Sequence, residues 1–299
     1  MKATAEEVDY RDNIFTRIKN RYKNSVVRYV FSEPMGIASL ILVALIILIA
    51  VFAPFLAPRN PNEIDIINSL EGPSRSNLMG TDNLGRDIMS RVIYGTRIAL
   101  FVAFSSMSIA VIIALILGVI AGYASEGVDN FLLIMFDIIR SFPALILAIV
   151  FRVMVGQGLL GLIIIIGFTS FPGYARLIRA QVLKIKKSEY VVAAQALGVP
   201  AHKIMLRHLL PNAIGPLFIQ IAMDVPVVIT FEAGLSFLGL GVPPPTPSWG
   251  SILYTGYSYV RVSPWMIIFA GSALALATLG FTILGETLRD NLDPKLRQN

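Results

Sequence analysis

Long apolar runs alternate with short polar stretches marked by proline and glycine. Residues 36–56 form an uncharged run of about the twenty residues that a helix needs to cross a bilayer. Further runs cover 98–122, 131–150, 159–174, 213–240 and 264–284, which predicts six membrane-spanning segments. Backbone polarity leaves only helices or closed barrels for crossing lipid, and runs this long are helices. The fold class expected is therefore an all-α polytopic membrane protein. The pattern divides the chain into a polar, basic segment 1–35, a first span 36–56 and a loop 57–96 punctuated by Pro58, Pro61, Gly72, Pro73, Gly80 and Gly85. A five-span body at 97–285 and a charged tail at 286–299 complete it. Gly215, Pro216 and Pro226 predict a broken fifth span.

One polar interruption, 188–212, is organised differently from the loops. Tyr190 to Leu197 are good helix formers, and Gly198 suits the left-handed position just past a helix end. Pro200 fits the first turn of a following helix, where a missing N–H costs nothing. Ala201, Ile204, Met205 and Leu209 then recur at helical spacing until Pro211 stops or tilts the helix. The product is a helix–break–helix elbow with apolar faces. It is either a membrane-surface element or a docking surface for a soluble partner.

Composition strengthens the membrane reading. The 299 residues are 55% hydrophobic and 15% charged, with a mean hydropathy of +0.70. A formal net charge of +6 is compatible with nucleic acid, but the cations sit beside apolar spans, where anionic headgroups and membrane orientation account for them. Placing the N-terminus inside puts 17 Lys and Arg on the inner side and seven on the outer, so both termini and the elbow are expected in the cytoplasm. There is no cysteine, which excludes disulfides and thiolate chemistry, and no cleavable signal peptide is expected.

Most chemical motifs fail on context. Residues 80–87 mimic the spacing of a phosphate-binding loop, but Asp87 replaces the magnesium-binding hydroxyl and no strand precedes it. Gly156, Gly158 and Gly161 match a dinucleotide fingerprint, yet they sit in a tight turn between two spans. His202 and His208, six apart on a helix, face different ways, so no metal site is expected. No serine or carboxylate pair suggests catalysis. Within the spans, Asp137 and Arg140 are i,i+3 neighbours and are expected to pair with each other. Asp224 and Glu232 have no cation in their own span and are candidates for a substrate path. A proton- or ion-coupled carrier using Asp137, Asp224 and Glu232 as a relay is the competing reading, though no internal duplication of broken helices supports it.

A resemblance separates these readings. Ala193-Ala194, Gly198 and Leu210-Pro211 resemble the coupling loop of ATP-binding-cassette importer permeases, with Val192 where that motif carries a glutamate. Residues 78–87 with Ser90-Arg91 and Gly95-Thr96-Arg97, Ser141-Phe142-Pro143, 232–241, Pro244-Pro245 with Trp249-Gly250, and 288–294 resemble the dipeptide/oligopeptide (and nickel) branch, in the subunit type with the longer first external loop. The resemblance implies the type I importer permease fold of six transmembrane helices, with the elbow as a cytoplasmic coupling helix. Tyr190, Ala193, Ala194, Leu197, Gly198, Val199, Pro200, Ala201 and Ile204 would meet the ATPase. The partners implied are a second homologous permease, two cytoplasmic ATPases that bind ATP and Mg, an extracytoplasmic substrate-binding protein and the lipid bilayer. No cofactor and no nucleic acid is expected on this chain. The cargo implied is a peptide, or nickel or another small solute, in a prokaryotic cell membrane.

Overall fold

A computed structural model describes residues 33–156 and 158–292. The basic stretch up to residue 32, Gln157, and the tail from Asp293 with Lys295 and Arg297 lie outside the described residues. Among the described residues there is no β-strand, only an isolated bridge between Thr81 and Asp87.

The first span is α1, Pro34–Val51, with proline in its first turn. The second is α2, Ile88–Tyr123, of 36 residues and so about 54 Å long. That exceeds a hydrocarbon core of about 30 Å. Residues 88–96, expected in the loop, are therefore the first turns of α2, started by Asp87, whose carboxylate accepts from the Ser90 N–H. Their polar side chains hide them from a hydropathy reading.

The third span is not one helix. α3, Glu126–Ser141, and α4, Ala144–Val155, meet at 94°. Pro143 forces the residue before it out of the helical region, and Phe142 takes φ −91°, ψ 139°. The next helix, α5, Leu159–Lys186, runs on well past residue 174. The elbow holds α6, Glu189–Ala196, and a short α7, Ala201–Ile204. A π-helical turn, Met205–Leu209, leads without a gap into α8, Leu210–Phe237. Pro216 and Pro226 lie inside α8, which is continuous rather than broken as the sequence suggested. The loop after it contains α9, Trp249–Tyr259, opened by a Ser248/Ser251 capping box, and α10, Trp265–Leu292, ends the described chain.

Contacts between α2 and α5 settle the crossing number. Ser106 and Ile109 face Gly167, Gly118 faces Ala175 and Ile178, and Gly122 faces Arg179 and Val182. Both series rise together, so the two helices run parallel. A Cβ at Gly118 would sit 2.6 Å from the Ala175 carbonyl oxygen, so the glycine permits the close approach by which helices associate in lipid. Lys186 Nζ donates to the Tyr123 carbonyl at 2.9 Å and joins their ends. Two parallel helices in succession require the chain to return between them, and α3 with α4 make that return. At the far end, Arg152 of α4 donates to the Gly158 and Gly241 carbonyls at 2.9 and 2.6 Å. Five continuous helical runs plus this bent pair give six crossings.

Two cores divide the bundle along its axis. The far-end core joins α1, the first half of α2 and the second half of α8 around Ile88, Leu162, Ile229 and Trp249. The elbow-end core joins the second halves of α2 and α5 to the elbow around Phe136, Ile178, Val191, Ile204 and Leu209.

Candidate functional site

The elbow is a fixed shape on a buried anchor. α6 ends in a Schellman arrangement: the Val199 N–H donates to the Ala194 carbonyl at 3.1 Å and the Gly198 N–H to Gln195 at 3.0 Å. Gly198 supplies the required φ of +73°, with open space where a Cβ would go. The glycine is thus dictated by backbone conformation rather than by crowding. Pro200 is the N-cap of α7 rather than a residue of its first turn, and its carbonyl accepts from Lys203 and Ile204. The π turn falls directly before Pro211, whose ring cannot pack against the carbonyl four residues back; the wider turn admits it without ending the helix. Pro211 therefore neither stops the helix nor closes the elbow.

Burial sorts the expected docking residues. Tyr190, Ala193, Leu197, Gly198, Pro200 and Ala201 are exposed, Leu197 at 83%. Ala194 and Val199 are half-buried. Ile204 is a correction: at 1% exposure it packs into the elbow-end core with Val191 and Leu209 and cannot touch a partner. Helical spacing put it on an apolar stripe, and that stripe is the inward one. The Tyr190 and His208 rings, 6.1 Å apart, brace the two arms.

The polar groups within the spans take places that spacing did not give. Asp137 does not pair with Arg140. It forms an ion pair with Arg176 of α5, a residue 39 positions on that sequence proximity could not suggest. Nearby, Arg179 holds Asp129 through two bonds of 2.5 and 2.6 Å, tying α5 to the first turn of α3. Arg140 has no ion pair among the described residues and is exposed. It lines an open cavity of about 500 Å³ together with Ser170, Tyr174, Gln220 and Asp224. Asp224 accepts from the Gln220 amide at 3.0 Å. Glu232 is different. Its side chain lies wholly inside the chain, where Oε1 accepts from the Ser236 hydroxyl at 2.6 Å and Oε2 has no partner among the described residues. Glu232 faces inward, and the single chain gives it no open path.

The phosphate-loop mimic at 80–87 does cradle an anion, but its own. Asp82 accepts from the Leu84 and Arg86 N–H groups at 2.8 and 3.0 Å and from the Arg86 guanidinium at 2.7 Å. Arg91 reaches the same carboxylate at 3.4 Å and donates to the Pro61 carbonyl at 3.0 Å. The glycines and charges serve an internal knot at the far end.

Comparison with known proteins agrees with this architecture. Residues 114–298 match the family "Binding-protein-dependent transport system inner membrane component", and residues 24–73 match the "N-terminal TM domain of oligopeptide transport permease C". The chain is 37% identical over 263 residues to the dipeptide transport system permease protein DppC of Alkalihalophilus pseudofirmus, covering 88% of this chain and 86% of that one. It is 35% identical over 277 residues to the oligopeptide transport system permease protein OppC of Bacillus subtilis, covering 93% and 90%. The glutathione transport system permease protein GsiD of Pectobacterium atrosepticum is 36% identical, covering 89% and 88%. Among solved structures, an inward-facing MetNI methionine ABC transporter superposes with a TM-score of 0.54 at 20% identity, covering 69% of this chain and 98% of that one, a likeness of fold alone. Six crossings, a helical elbow between the fourth and fifth, and these matches together establish that the chain belongs to the binding-protein-dependent transport system inner membrane component family, in its oligopeptide and dipeptide permease branch.

Proposed function

We propose that this chain is one of two permease subunits of an ATP-binding-cassette importer that carries peptides across a prokaryotic cell membrane. A second, homologous permease completes the path, and an extracytoplasmic binding protein delivers the cargo. Two cytoplasmic ATPases, which bind ATP and Mg, dock on the elbow. The cation distribution supports both termini and the elbow lying in the cytoplasm. The peptide cargo rests on the names of the relatives.

The observation that carries the reading is the elbow itself. It exposes Tyr190 in the first turn of α6 and Leu197 at its far end, whose shape is held by the Schellman bonds, while Val191 and Ile204 root it in the core between α2 and α5. A rigid apolar projection rooted in the bundle can pass a push from a soluble partner to the spans. Without such a root, partner motion would be absorbed in the loop.

Gly198→Leu places a side chain at φ +73°, at a cost of about 1 kcal/mol or more, and Ala194→Glu puts a charge on the half-buried part of the docking face. Both variants should reach the membrane yet lose ATPase assembly or substrate-stimulated ATP hydrolysis. Wild-type transport by either, at normal expression, would refute the docking role.

A further inference from the structure

Arg140, Tyr174 and Asp224 come from three helices and meet at one cavity. Gly173 and Tyr174 lie halfway along α5, and Asp224 lies halfway along α8. The cavity therefore lies near the middle of both spanning helices, where charged side chains meet water or protein rather than lipid. Its charges are not spent on one another. Arg140 and Asp224 line the same space without an ion pair between them, and the acid nearest Arg140 in sequence, Asp137, is held by Arg176. The Arg140 guanidinium lies beside Gly173, its Nη1 4.0 Å from where a Cβ would stand. Asp224 takes the Gln220 amide on Oδ1, which leaves acceptor capacity on the carboxylate. Leu177, Val227 and Val228 complete the wall with apolar surface.

We propose that this cavity is a two-charge station on the transport path for a cargo bearing both a free carboxylate and an ammonium group, with Arg140 meeting the carboxylate and Asp224 the ammonium. The proposal rests on the peptide-importer reading and narrows it. A divalent cation would be repelled by Arg140 and a simple anion by Asp224. A zwitterion answers both, and the apolar wall makes no demand on the side chains between its ends. Each contact would be a charge-assisted hydrogen bond, the stronger class of polar contact, and would be lost with either partner's charge.

The test uses the complete importer with its own binding protein in proteoliposomes supplied with ATP. Uptake of a free peptide is compared with that of its C-terminal amide and its N-acetyl form, each normalised to its affinity for the binding protein. Arg140→Gln should reduce uptake of the free-carboxylate peptide about tenfold more than uptake of the amide, and Asp224→Asn should do the same for free against acetylated amine. This chain contains no cysteine, so Ser170→Cys creates a single thiol in the subunit. A charged, water-soluble methanethiosulfonate should label it, and peptide delivery should slow the labelling. Unchanged peptide ratios in both variants, with ATP hydrolysis at the wild-type rate, would overturn the station. So would a Ser170→Cys thiol that stays unreactive both without nucleotide and with ATP, since the second permease or lipid would then cover the cavity. If Arg140→Gln fails to assemble, Arg140→Lys keeps the cation and the labelling decides. A wild-type complex that imports another solute but no peptide would overturn the peptide reading, and the station with it.

Discussion

Two groups of arginine and aspartate in this molecule are built from the same side chains and differ in what surrounds them. At the far end, Asp82, Arg86 and Arg91 have side chains 3%, 10% and 7% exposed, and the carboxylate is enclosed by two backbone N–H groups as well as the guanidinium groups. Midway along the spanning helices, Asp137 and Arg176 pair with side chains 62% and 35% exposed, while Arg140 and Asp224 open on a cavity with no ion pair of their own among the described residues. In the first group one carboxylate serves two guanidinium groups, and all three are closed in by the loop and the first turn of α2. In the second the chain leaves charge unmatched on a face within the bundle. Closed, saturated charge reads as architecture, and open charge within a membrane span reads as a place for something else to bind.

The largest effect should come from breaking the closed group. Asp82→Ala leaves two buried guanidinium groups without their anion, a change that costs about 3–5 kcal/mol in buried ion pairs. A sharp fall in thermal unfolding temperature and in purified yield is expected. Asp82→Asn, which keeps an acceptor for the loop N–H groups, should lose less. An Asp82→Ala protein as stable as wild type would remove the distinction between the two groups.

Glu232 sharpens the comparison because it is one carboxylate with the burial of the first group and without its cations. Glu232→Ala strands the Ser236 hydroxyl and opens a void, so a loss of about 1–3 kcal/mol is expected in denaturation, while Glu232→Gln should restore most of it by accepting the same bond. If Gln proves as unstable as Ala, the carboxyl group matters beyond its hydrogen bond to Ser236.

The smallest effect on stability belongs to the open pair. Asp137→Asn should stay within about 1 kcal/mol of wild type in the same unfolding measurement, because the pair is largely exposed within this chain. Destabilisation as deep as that of Asp82→Asn would show that the open face is structural as well.

The errors of sequence reading fall where helix packing, not local pattern, decides. Asp137 and Arg140 share a helix face, so spacing alone pairs them. The competing partner, Arg176, is brought in only because α5 packs against α3. Ile204 sits at helical spacing with the exposed elbow residues, but the direction of that apolar stripe is set by the core it enters. Pro226 reads as a break, yet α8 passes through it. Conversely, the Gly198 turn was legible, since a left-handed residue after a run of helix formers is a local matter.

Whatever the solvent and the backbone govern could be read from the residues alone. Six apolar runs must become helices because lipid offers no hydrogen bonds, the polar elbow must lie outside them, and a glycine must close its first helix. Tertiary structure alone decided that the third crossing is a bent pair, a conclusion that follows from α2 and α5 running parallel. It alone turned a phosphate-loop mimic into a knot around Asp82, and it left Arg140 and Asp224 facing one cavity. Those outcomes depend on contacts between residues far apart in the chain, and hydrophobic periodicity within one segment carries no information about which distant charge will arrive beside it.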